Sequence, residues 1–164
     1  MEDSQTVIKA RKKIEKLGLP VPDKPAGGSA DLEWPANVGD LSVDELAEHM
    51  SWWTGWASYA RQHLAEADTN AAAYKEQYST SMSEAVFKSE GDYGTVTEMK
   101  AAIAQRPDLQ KIQARVLEAS GIRDMVKALL AGYEEKRATI SREITRRGLE
   151  WGEQTSEGKD RFRA

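Results

Sequence analysis

Five cations fall within twelve residues late in the chain: Lys136, Arg137, Arg142, Arg146 and Arg147. Grouped cations of this kind suit one chemistry above others, the capture of phosphate or another anion. Arg142 and Arg146 stand one helical turn apart and Arg147 extends the same end, with Glu143 as the only carboxylate inside the cluster. Like charges at that spacing repel unless an anion lies between them. The structural alternative is that cations near a helix C-terminus offset the macrodipole, by about 0.3 kcal/mol or more each. A second basic group, Lys9, Lys12 and Lys13 with Lys16, lies near the N-terminus.

Aromatic residues form the other chemically capable cluster. Trp52, Trp53, Trp56 and Tyr59 could stack bases, at roughly 1–3 kcal/mol each. On a helix with heptad spacing such rings also serve packing, and these four are assigned to an interface between subunits. Catalytic chemistry finds little to work with. The sequence has no Gly-rich phosphate loop, no H-E-x-x-H and no cysteine, so a thiol nucleophile, a disulfide and a cysteine zinc site are excluded. His49 and His63 stand fourteen residues apart, about 21 Å along one helix, too far for one metal ion. Glu45 and His49 are one turn apart and read as a helix-surface pair. The chain is expected to be no enzyme and to hold no metal or cofactor.

Composition agrees with a solvated helical protein: 40% hydrophobic and 30% charged residues, with only two phenylalanines. No stretch is long and apolar enough to span a bilayer, and Met1-Glu2-Asp3 lacks a signal pattern. A non-membrane, cytoplasmic protein is expected. The net charge of −4 is unevenly spread. Residues 1–17 carry five positive charges against three negative, 44–90 three against eight, and 95–164 fourteen against eleven.

The elements that position these residues begin with a long heptad. Ser42-Val43-Asp44-Glu45 is an S-x-x-E capping box. Leu46, Met50, Trp53, Ala57, Ala60, Leu64, Ala67, Ala71, Tyr74 and Tyr78 then alternate steps of four and three, the seam of a coiled coil. Only Gly55 interrupts it, at roughly 1 kcal/mol. A helix over residues 43–88 would run on the order of 65–70 Å. A turn at residues 89–94 leads to a second box, Thr95-Val96-Thr97-Glu98, and a short helix ending near Gln105. Pro107 breaks the chain there. From Leu109 to Gly148 a second long seam runs through Ile112, Val116, Ala119, Arg123, Val126, Leu130, Tyr133, Arg137, Ile140 and Ile144.

Two long helices joined by a short corner predict an all-α fold, a long antiparallel α-hairpin. Residues 1–17 read as a separate basic helix or arm, stopped by Gly18 and Pro20. Residues 18–41 read as an extended linker from which Leu32 and Trp34 dock, 42–151 as the hairpin domain and 152–164 as a frayed polar tail. His49, Trp52, Trp56, Tyr59 and His63 make a second stripe beside the first seam. Together the two stripes span an arc of roughly 160°, wider than one helix covers. Either other subunits cover it or it binds something flat and apolar; a homo-oligomer is the stronger reading.

The succession of short words resembles a family. An aromatic-rich helix from Met50 to Tyr59 continues through Tyr74-Lys75 to Phe87-Lys88. Gly91-Asp92-Tyr93-Gly94, Thr97-Glu98-Met99-Lys100 and Asp108-Leu109 follow, and the closing helix ends in Ile140-Ser141-Arg142-Glu143-Ile144-Thr145-Arg146-Arg147-Gly148. Over residues 43–150 this is similar to the UvsY-type recombination mediators of tailed phages. The resemblance implies a helical, oligomeric, non-enzymatic protein that binds single-stranded DNA. It also implies partners, a recombinase that is loaded and a single-strand-binding protein that is displaced. Arg142, Arg146, Arg147 and Lys136, with Lys9, Lys12 and Lys13, are the expected phosphate contacts. The alternative is a structural or partner-binding coiled-coil protein without nucleic acid.

Overall fold

Each helix starts and stops where local chemistry dictates. The computed structural model describes residues 3–18, 22–26, 32–89 and 94–161, with backbone alone for 151–161. Ser4 caps α1 (Gln5–Lys16) by accepting the Val7 N–H, and the helix ends at Gly18 with φ +63°, a left-handed conformation that glycine adopts without penalty. Helix α2 (Val43–Lys88) opens on the expected reciprocal box. The Ser42 N–H donates to Glu45 Oε2 at 2.6 Å, and Ser42 Oγ accepts from the Glu45 N–H at 3.2 Å. Glu45 is therefore committed to the cap, and its carboxyl is held below the ordinary range by the Ser42 backbone and hydroxyl. Thr95 caps α3 (Val96–Ala104), and Pro107 is the first residue of α4 (Pro107–Arg161), a position where its missing N–H costs nothing.

The described residues contain no strand, and the fold is all-α with α2 paired to α4. The chain forms two compact units, residues Met1–Val21 with Gln62–Lys127, and Pro22–Arg61 with Ala128–Ala164. In the first unit Ala85 clusters with Met99, Ile103 and Leu109, while Ala71 and Tyr74 meet Ala119. In the second, Leu46 and Trp53 pack on Ile140 and Tyr133. Within each unit residues rising along α2 meet residues falling along α4, so the pair is antiparallel. Every α2 seam position named above is buried or half-buried, as heptad spacing requires.

Three expectations change. Residues 1–17 are no separate arm, because α1 docks within the first unit. Val7 is 2% exposed, the Ser4 N–H donates to the buried Asn70 Oδ1 at 2.8 Å, and Arg11 makes two bonds to Glu66. The linker is no plain spacer. Val38–Asp40 forms a 3-10 turn, and Trp34, Val38 and Leu41 pack on the second unit's core. Gly55 acquires a reason from the same segment, since a Cβ there would lie 3.3 Å from Pro25 Cγ. Helix α4 does not stop before residue 152 but continues to Arg161. Pro20, Gly27, Gly28 and the turn residues 90–93 lie outside the described residues.

Candidate nucleic-acid interface

The basic end of α4 is held by carboxylates. Glu143 accepts from Arg146 Nη2 at 2.7 Å and from Arg147 Nε at 2.7 Å, and Arg146 Nη1 reaches Glu150. Arg147 Nη2 also donates to the Gly39 carbonyl at 2.9 Å, which ties the 3-10 turn to α4. With two guanidiniums donating to it, the Glu143 carboxyl falls to about 2. The anion demanded by repulsion between neighbouring arginines is thus supplied by the chain. Glu143 is not alone, since Glu150 also pairs with Arg146. Arg146 and Arg147 are therefore not the free phosphate contacts expected of them. Arg142 is different: it is exposed, and among the described residues it bonds the Ala138 carbonyl and the Thr139 hydroxyl, with no carboxylate partner.

Lys136 is a second correction. Its Nζ lies 3.7 Å from the Trp53 ring centroid and 5.5 Å from that of Trp34. The ammonium caps the aromatic cluster by cation–π attraction, and burial lowers its pKa.

The aromatic residues divide. Trp53 is 0% and Trp56 8% exposed, so both belong to the core of this chain rather than to an interface with another subunit. Trp53 stacks on Tyr133 with centroids 5.8 Å apart and an interplanar angle of 27°. Trp56 meets Tyr133, Trp52 and Tyr59, and Trp34 meets His49 and Trp53 edge-on. Trp52 and Tyr59 are half-buried. The part of the arc around His49 and Trp53 is covered by the chain's own Trp34, with Val38 and Leu41 in the same cluster, and Leu32-Glu33-Trp34-Pro35 was the sequence signal for it. His49 is buried, and its edge-on partner is Trp34.

Lys9, Lys12 and Lys13 are exposed on α1, together with Lys16. The four stand at i, i+3, i+4 and i+7, the positions that share one helix face. No carboxylate among the described residues pairs with them. The helix that carries them is fixed at its opposite side by Ser4, Val7 and Arg11. Arg11 is the anchor, through its two bonds to Glu66. The Glu66 carboxyl is held below its ordinary value because Arg11 donates to it.

Among the described residues no cluster of histidine, aspartate and glutamate is arranged to hold a metal, and no helix is long and apolar enough to cross a membrane. No family model, no curated protein and no solved structure matches the chain.

Proposed function

We propose that the protein is a non-enzymatic, single-stranded-DNA-binding accessory protein that acts as a homo-oligomer, a recombination mediator of the UvsY kind. The observation that carries the reading is the lysine stripe of α1. Four ammonium groups share one face of a helix that is docked on the first unit, and none of them is paired with a carboxylate among the described residues. A surface that holds like charges together uncompensated is suited to a polyanion, and contacts of this type bind without regard to sequence. Arg142 is a further exposed cation on the second unit. Recombinase loading, with displacement of a single-strand-binding protein, is the activity that the resemblance adds.

A second reading is favoured by one observation. Glu143 and Glu150 neutralise the arginines at the end of α4, as a structural coiled-coil protein would require. Titration of a labelled oligonucleotide across a salt series separates the two. The replacement Lys9→Gln, Lys12→Gln and Lys13→Gln should weaken binding and flatten the slope of log affinity on log salt by about 2, at about 0.7 per contact. Failure of the wild-type chain to bind at low salt leaves the structural reading.

A further inference from the structure

Helix α1 has 12 residues, and isolated helices shorter than about 12–15 residues are marginal in water. Its charges make matters worse. Lys9, Lys12, Lys13 and Lys16 stand three and four residues apart, a spacing at which like charges repel along a helix surface. The order of α1 therefore comes from docking.

Besides the buried Val7, the docking contacts form one polar network within the first unit. Arg11 donates to both oxygens of Glu66, from Nε to Oε1 at 2.8 Å and from Nη2 to Oε2 at 2.7 Å. Its Nη1 donates to Asp3 Oδ2 at 2.7 Å. Asp3 Oδ1 in turn accepts from Asn70 Nδ2, and Asn70 Oδ1 accepts the Ser4 N–H. His63 Nδ1 stands 3.4 Å from Glu66 Oε2. Two carboxylates thus fix one guanidinium, two turns along from the Ser4 contact. At 100° per residue Arg11 projects about 150° from the middle of the lysine stripe. The network meets α2, and the lysines are left exposed.

Glu66 would act on a bound strand in two opposed ways. A carboxylate repels phosphate, so on charge alone its removal tightens binding. A strand on the stripe, however, lies across the width of α1 from Glu66, about 10 Å or more. That is as long as the Debye length, about 10 Å at 0.1 M salt, and Arg11 already matches the charge. The repulsion is therefore small. The positioning effect is not screened. Released from Glu66, α1 loosens, and its backbone and four lysines must be ordered again on binding, which opposes association.

We infer that Glu66 and Asp3 are positioning residues for the lysine stripe. These two acids lie away from the strand and strengthen its binding, by holding α1 helical with its ammonium groups in line. The inference rests on the reading of the stripe as a single-strand site.

Three replacements that each remove one negative charge test it, in an oligonucleotide titration of the full chain at 0.1 M salt. Glu66→Gln should lower the affinity about threefold or more, and Asp3→Asn should lower it in the same direction. Glu66→Asp, which keeps a carboxylate for Arg11, should recover part of the loss. Glu15 is exposed on α1 and has no ion pair among the described residues; Glu15→Gln should leave binding unchanged or tighten it. Hydrogen exchange over residues 5–16 on the same samples should show less protection in Glu66→Gln and Asp3→Asn and none lost in Glu15→Gln. Urea unfolding verifies that each variant is folded under the assay conditions, and Asp3→Asn, at the chain's end, carries the test if Glu66→Gln is not. The inference is overturned if the folded variants bind as tightly as the wild type or more tightly, or if Glu15→Gln weakens binding equally. A wild type that binds no oligonucleotide is a different result: it removes the strand reading itself, and this inference with it.

Discussion

Asn70, 1% exposed on α2, accepts the backbone N–H of Ser4 at 2.8 Å across 66 positions of sequence. Its Nδ2 donates to Asp3 Oδ1 at 3.3 Å, so one amide holds both residues that precede α1. This is why the basic helix belongs to the first unit. Replacing Asn70 with Leu should cost about 1–3 kcal/mol, because the Ser4 N–H is left buried without a partner. Urea unfolding of the variant against wild type checks the value, and faster proteolysis at the N-terminus should accompany it.

Acid should loosen α1. The Glu66 carboxyl is held below its ordinary 4.5 by the Arg11 side chain, with burial opposing and His63 nearby. A carboxyl depressed in the folded state contributes stability that is complete above its unfolded pKa and is lost as pH falls through the folded one. The loss should begin below about 4.5 and grow with further acid. Hydrogen exchange over residues 5–16, compared between pH 6 and pH 3 after correction for intrinsic rates, measures it. In Glu66→Gln the protection should be lower throughout and lose this acid dependence.

Trp53 should be a stability residue. It is fully buried between Leu46, Ile140 and Tyr133, and Lys136 caps its ring. Trp53→Ala should cost about 3–5 kcal/mol in urea unfolding, with no separate effect on assembly once the chain is folded. Lys136→Gln should cost less, about 0.5–2 kcal/mol, as the cation–π contacts are lost.

Glu143 should restrain nucleic-acid binding. It holds two guanidiniums, Arg146 and Arg147, that the proposed function would otherwise offer to a phosphate. Glu143→Gln should raise single-strand affinity and steepen the salt slope by up to about 1.4, for two contacts at about 0.7 each. Unchanged affinity and slope would mean that the end of α4 does not meet the strand.

The sequence alone was enough for the local elements. Ser42 with Glu45, Thr95, Gly18 and Pro107 act within three or four residues, so the helix ends were legible from spacing. The heptad from Leu46 to Tyr78 was legible for the same reason, and it carried the antiparallel pairing with it. What covers each helix face is a question of contacts distant in sequence, and there only the tertiary structure decided. Periodicity showed that the arc around Trp53 and Trp56 was wide, but it could not show that Trp34 returns onto Trp53 and His49 and that Tyr133 meets Trp56. Charge counting found Arg146, Arg147 and Lys136. It could not show that Glu143 and Glu150 bend toward the first two, or that the ammonium of Lys136 rests on Trp53. Nothing in the spacing of Arg11 disclosed its partner, Glu66, 55 positions away. A residue type and its spacing determine which face of a helix it shares; its partner depends on where the rest of the chain comes to lie.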